Sequence, residues 1–335
     1  MIRTFITTLV LVALLACTSC SKNAAAPIIT VYCAVDEPYA SKIFAEFEKE
    51  TGIRIAALYD IESSKSVGLA GKLEAERDHP QADVWWGSEA FLTARLAEEG
   101  VLAPYASSNA ADIPAVYKDK NGRWAGVGLR ARVIALGVPP PDVAIQRLED
   151  LTNPKLKNKI AIARPTAGAT GAHVTALYLA WGQDKGDAFF RGLHDNGVAL
   201  LGGNAEVADQ VGAGSFEAGL TDTDDVVNST ANGGKLSMVV PDQGANDAGT
   251  MTMPTTVGLV TGSKHAEAAK RLIDYLLSRQ TETRLEQLNF VKWSVRDPAG
   301  AGGVKAMTVD YAKAAENYAA SVRRATALLE GRPIE

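Results

Sequence analysis

The chain has only three cysteines and four histidines among 335 residues. So few cysteines rule out a disulfide-stapled scaffold. The histidines (His79, His173, His194 and His265) show no metal-ligand spacing. Positive charge is also short: 34 Lys and Arg face 39 Asp and Glu, giving a formal charge of −5. A nucleic-acid surface would need a basic stripe, and none is present. Beyond the first segment no apolar run reaches membrane-spanning length. A G-x-S-x-G elbow, an H-E-x-x-H pair, a P-loop and a dinucleotide fingerprint are all missing. With no activated nucleophile in sight, the chain reads as something other than an enzyme.

What the chain does have begins at its start. MIRTFITTLVLVALLACTSC sets Arg3 before an apolar run from Phe5 to Ala16, which ends directly at Cys17. This is the pattern of a removable export signal over residues 1–16, closed by a lipid-attachment box. Cys17 is the expected lipidation site and Cys20 the alternative, with residues 17–27 as a lipidated tether. A lipid on one cysteine holds a soluble domain at a bilayer. The expected location is therefore periplasmic or otherwise extracytoplasmic, on the membrane through the lipid only.

The remaining composition, 47% apolar and 22% charged, is that of an ordinary globular chain. Its length suits two lobes. Strands at 28–33, 53–59 and 82–86 alternate with helices at 38–49, 64–77 and 89–99, which argues for parallel sheet covered on both faces. A second block runs from the strand at 159–163 through helices at 171–181, 185–196 and 204–213, with strands at 198–201 and 217–221. Two β-rich stretches, 131–138 and 236–260, interrupt the alternation, and helices at 266–278 and 309–329 follow. The expected fold class is α/β with two lobes joined by β crossovers around a ligand cleft. Residues 28–130 with 241–288 make the first lobe, and 131–240 with 289–335 the second. Cys33 reads as a small buried residue of the first strand.

In such sheets ligands sit beyond the carboxyl ends of strands, where loops meet helix N-termini. Asp36 follows the first strand, Ser63 and Ser64 the second, and Ser88-Glu89 the third. Arg164-Pro165-Thr166-Ala167-Gly168-Ala169-Thr170-Gly171 opens a helix with small residues and hydroxyls, a start suited to an anion or to plain capping. Thr221-Asp222-Thr223-Asp224-Asp225 is the sharpest cluster. Its three carboxylates repel one another unless something cationic sits among them: a hard metal ion, an amine, or solvent around a helix cap. Trp85 and Trp86 alternate across a strand, so at least one is core and the other is a candidate stacking contact.

With these loops placed, the chain resembles the periplasmic solute-binding proteins of ABC importers, nearest to the ferric-iron-binding branch grouped with extracellular solute-binding protein family 1. The resemblance is carried by VYCAVDEPYASKIFAEFEKETGI (31–53), QADVWWGSEAFLTARLAEEGVLAPY (81–105), RARVIALGV (130–138), LEDLTNPKLKNKIAIARPTAGATG (148–171), NGVALLGGNAEVADQVGAGSFEAGLTDTDD (196–225) and PDQGANDAGTMTMPTTVGLVTGSKHAEAAKRLIDYLL (241–277). It implies the type II periplasmic-binding-protein fold, a monomer that closes on one small solute, and an ABC permease with its ATPase subunit as partners. A solute sensor without transport is the third reading. Carried over residue by residue, Asp36, Glu89, Asp224 and Asp225 stand at or near metal-ligand positions, with Ser88 the more direct match after the third strand. Thr166, Ala167, Gly168, Ala169 and Thr170 match the helix start that holds a synergistic anion such as phosphate or carbonate, with Asn204 on the same wall. The tandem tyrosines of many ferric binders have no counterpart, because Asp224 and Asp225 stand in their place. Two ligands follow: iron(III) or another hard metal ion with its anion as the first reading, and a small organophosphate or aminophosphonate as the alternative. The second would use Ser63, Ser64 and residues 166–170 for the phosphate, Asp222, Asp224 and Asp225 for the amine, and Trp86 for stacking. No cofactor beyond the ligand is implied.

Overall fold

The computed structural model describes residues 27–60, 67–166, 168–297 and 303–334. The export signal with Cys17, and also Ser63, Ser64 and Ala167, lie outside the described residues. No described helix is long and apolar enough to cross a membrane.

One curled sheet organises the chain. β1 (Ile28–Cys33) pairs in parallel with β2 (Arg54–Tyr59) and β3 (Val84–Gly87). β10 (Thr252–Val260) then runs antiparallel to β3. The long strand β5 (Ala125–Gly137) joins the two halves. Its first half pairs with β10, and its second half pairs with β8 (Ala218–Asp222) and β9 (Leu236–Val239). β6 (Ile160–Ala163) and β7 (Ala199–Leu201) complete the second half in parallel with β8. The sheet is thus mixed, with β5 and β10 antiparallel to their neighbours. The apolar run that sequence reading starts at Ala131 in fact begins at Ala125, and it continues through Arg130 and Arg132.

Each half has its own core. Ile29, Val31, Cys33, Phe44, Phe47, Trp86 and Leu272 cluster in the first. Ile134, Ile162, Leu177, Phe189, Phe190 and Leu220 cluster in the second. α1 (Glu37–Thr51) shows why such helices form: Ala40, Ile43, Phe44 and Phe47 repeat at three- and four-residue steps on its buried face. Gly52, at φ 72°, ends it in the left-handed region that glycine accepts without strain. The helix expected over 266–278 is α8 (Ala266–Leu276), and a second helix that sequence reading did not mark, α9 (Arg279–Gln287), follows it at once. The break has a chemical cause, since the Ser278 hydroxyl accepts from the Thr281 N–H and starts a new helix.

The last helix, α10 (Tyr311–Leu329), belongs to neither half alone. It packs along α3 (Ala90–Glu98) in the first lobe and along α4 (Gly168–Trp181) and α5 (Gln183–Asp195) in the second. Tyr311 at its start stacks edge-on against Phe91 and Trp124.

Candidate functional site

Four helix N-termini point into one cleft between the lobes. α1 contributes its N-cap Asp36, and α4 contributes Gly168, Ala169 and Thr170. α6 (Asn204–Gly212) presents Gly203 and Asn204, and α7 (Thr223–Ala231) presents Asp222, Asp224 and Asp225. Ser88, Arg130, Arg164 and Thr166 complete the wall.

The acidic cluster is not left to water. Arg130 and Arg132 lie two apart on β5 and so share a face. Arg132 stands directly opposite Asp222 on β8. The Arg132 Nη1 donates to Asp222 Oδ1 at 2.5 Å and to Asn204 Oδ1 at 2.9 Å. The Arg130 Nη1 donates to Asp222 Oδ2 and Asp224 Oδ2, both at 3.3 Å, while its Nη2 donates to the Ser88 carbonyl at 2.8 Å. Its guanidinium also lies over the Phe290 ring, 5.2 Å from the centroid. Burial opposes charge on Arg130, yet Asp224, Asp222 and Asp36 hold it more firmly protonated than a free arginine. Arg130 therefore ties a lobe-one carbonyl to lobe-two carboxylates at the point where β5 passes between them.

Capping explains part of the remaining acid. Asp225 is the third residue of α7, and its carboxylate accepts from the Asp222 N–H at 3.3 Å and from the Thr221 hydroxyl at 2.9 Å. Carboxylate oxygens of Asp222, Asp224 and Asp225 still lie within 4.8 Å of one another. Asn204 is a junction, because its Oδ1 also accepts from the Thr170 hydroxyl at 3.0 Å. The first turn of α4 has no acidic residue of its own, and its positive N-terminal end faces the cleft. The cleft thus brings the start of α4 and Arg164 into the same space as Asp36, Asp224 and Asp225.

The structure brings together most of the sequence candidates and moves two away. Asp36, Thr166, Gly168, Ala169, Thr170, Asn204, Asp222, Asp224 and Asp225 all line the cleft. Glu89 does not. It is buried as the N-cap of α3, accepting from the Leu92 N–H at 3.1 Å and from the Phe91 N–H. Burial pushes its carboxyl up to about 7 against the pull of those amides, Arg95 and Arg130. The cleft position belongs to Ser88 one residue earlier, since β3 ends at Gly87 and α3 captures the next side chain. Trp86 is also withdrawn: it is fully buried against Phe44, with its indole N–H donating to Thr255 Oγ1 at 3.3 Å. Trp85 is equally buried, donating to Thr93, so neither tryptophan faces a ligand.

Arg130 and Arg132 are the residues that sequence reasoning passed over, and Arg164 was named there only as the start of the 164–171 segment. The signal was present, because two arginines two apart inside an apolar strand share a face and need acids to meet them. Tyr39 lies nearby. Its hydroxyl accepts from Asn228 of α7 across the two lobes, and burial with Asp224 beside it pushes the phenol up to about 12. Among the described residues lining the cleft there is neither a tyrosine nor a histidine.

The model for bacterial extracellular solute-binding proteins matches residues 29–290. The chain belongs to that family. A putative 2-aminoethylphosphonate-binding periplasmic protein of Salmonella typhimurium is 26% identical over 249 residues, 74% of this chain and 71% of the relative. The iron uptake protein A1 of Synechocystis is also 26% identical, over 81% of this chain and 79% of its own. Among solved structures, a ferric binding protein from Campylobacter jejuni superposes with a TM-score of 0.78 at 23% identity, covering 90% of this chain and 99% of that one. The fold of this solute-binding protein is accordingly the two-lobed type II periplasmic-binding-protein fold.

Proposed function

We propose that this solute-binding protein is the capture component of an ABC importer and that its ligand is a small organic phosphonate or phosphate bearing an amine. Export and a lipid on Cys17 hold it outside the cytoplasm at the membrane. The lobes close on the solute about β5, and the closed form docks as a monomer on a permease whose ATPase subunit drives import. The solute leaves chemically unchanged.

The ligand reading rests on the opposition of charges within one cleft. The start of α4, with Thr166, Thr170 and Arg164 beside it, suits an oxyanion. Asp36, Asp224 and Asp225 in the same cleft suit an ammonium group. A zwitterion satisfies both at once. The likeness to the Salmonella typhimurium protein supports this reading. Calorimetry of the mature chain with 2-aminoethylphosphonate, inorganic phosphate and ethanolamine tests it. Tight binding of the first and weaker binding of the others is expected, and equal binding of phosphate and aminophosphonate would refute the amine's role.

One observation favours a second ligand, iron(III) with a synergistic anion. Asp222, Asp224 and Asp225 place hard oxygen donors within reach of one ion, and the Synechocystis relative is named for iron uptake. Against it, Arg130 and Arg132 already neutralise Asp222 and one edge of Asp224, and an incoming cation must compete with them. Elemental analysis and native mass spectrometry of the purified mature chain separate the two, as a stoichiometric metal or a small organic mass.

A further inference from the structure

Arg164 stands apart from the other charged residues of the cleft. It follows β6 directly, its N–H donates to the Leu201 carbonyl at 3.0 Å, and it lines the same cavity as Thr166 and Gly168. Its guanidinium is about half exposed, and it donates to the Glu330 carboxylate at the C-terminal end of α10. Glu330 has a second cation of its own, because the Arg332 Nε donates to its other oxygen at 2.7 Å. Glu330 would therefore remain paired if Arg164 left it.

The end of α10 is firmly placed. The Leu329 carbonyl lies 3.0 Å from His194 Nδ1, and Arg324 makes two contacts with Asp187 of α5, at 2.7 and 2.5 Å. Glu330 is thus held by its own helix end, while Arg164 reaches it with a long, half-exposed side chain from the loop after β6. An ion pair this exposed contributes little in water, so moving Arg164 from Glu330 to another oxyanion is a near-balanced exchange. A planar guanidinium fits two oxygens of a phosphonate or carboxylate in the same forked geometry.

We propose that Arg164 is a specificity-determining residue of the cleft: it grips the ligand's phosphorus oxyanion together with the start of α4, and Glu330 competes with the ligand for it. The proposal rests on the phosphonate or phosphate reading above. It makes selectivity for an anion depend on a helix that packs against both lobes, since α10 sets where Glu330 stands.

The test uses the full mature chain in calorimetry with 2-aminoethylphosphonate at two salt concentrations, with melting curves to confirm that each variant folds. Arg164→Gln should weaken binding by about tenfold or more, as expected for loss of a charge-assisted hydrogen bond, and should flatten the salt dependence. Arg164→Lys should restore part of both. Glu330→Gln should tighten binding by about threefold, a modest gain in keeping with an exposed ion pair. Wild-type affinity in Arg164→Gln, with the parent chain binding normally, overturns the role of Arg164 alone. Unchanged or weaker binding in Glu330→Gln overturns the competition. Failure of the parent chain to bind any phosphonate or phosphate overturns the ligand reading, and the assignment of Arg164 falls with it.

Discussion

Replacing Asp222 with asparagine probes the groups on which the cleft is built. Asp222 is almost fully buried, and its two oxygens accept from two different arginines, Arg130 and Arg132. The substitution keeps the shape of the side chain and removes its charge. Arg130 retains Asp224 and the Ser88 carbonyl, but Arg132 is left with neutral oxygens alone, those of Asn204 and of the substituted amide. Arg132 is completely buried, and among the described residues its Nε and Nη2 have no hydrogen-bond partner. Stranding one charge of a buried pair costs about 3–5 kcal/mol. For a chain of this size that corresponds to a melting point lowered by roughly 5–10 °C. The assay is thermal unfolding without ligand at neutral pH, paired with urea titration. Adding Arg132→Met should recover most of the loss, because the uncompensated cation is then gone and the apolar side chain fills its place. A single variant that melts within about 1 °C of the parent would mean that Asp222 is not what holds Arg132, and the charge argument for the cleft floor would fall.

Three further outcomes follow from particular contacts. Glu89 has its folded carboxyl raised to about 7 from an ordinary 4.5, so the folded chain holds a proton that the unfolded chain releases between those values. The contribution is full below 4.5 and fades as pH rises through about 7, so Glu89→Gln should gain on the parent by about 2–3 kcal/mol between pH 4.5 and pH 8 in urea titrations. An unchanged difference across that range would refute it. Asp224→Ala with Asp225→Ala should abolish the ligand-induced rise in melting point; the lost cap lowers intrinsic stability by about 1 kcal/mol, and loss of the Asp224 contact with buried Arg130 adds to it. Ligand affinity equal to the parent's in this double variant would remove the acidic part of the site. Gly171→Ala should cost about 1–3 kcal/mol, because a Cβ there would lie 2.3 Å from the Tyr318 hydroxyl of α10. A melting curve identical to the parent's would show that α10 is not pressed against α4 there.

The fold was legible because its signals are local. Apolar periodicity marks α1 and α8, and short β-rich runs mark β1, β3 and β6, each within a residue or two of its observed limits. What periodicity could not give was the order of the strands. β10 enters the sheet between β3 and β5 through pairings more than a hundred residues apart in the chain, and no local pattern encodes that. The end of α8 near Ser278 was legible, but α9 beyond it was not read as a helix.

The site was legible for a different reason and failed for a related one. Asp36, Thr170, Asn204 and the acids of residues 222–225 stand at strand ends or helix starts, where topology alone sends a side chain toward the cleft. The same rule misplaced Glu89. A carboxylate just before a helix can serve either a ligand or the helix's own free N–H groups, and here Phe91 and Leu92 take it. Spacing cannot separate those outcomes, because both need an acid at the same position. Arg130 and Arg132 were hidden by the opposite effect. They lie inside a strand whose apolar character reads as core, and only the register of β5 against β8 reveals that they face the acids. Three aspartates in four residues were a demand for cations that the chain itself meets, from a strand some ninety residues earlier in the chain. Whatever ligand enters must therefore find its own balance with Arg130 already seated, and this favours a solute that carries both signs of charge over a bare cation.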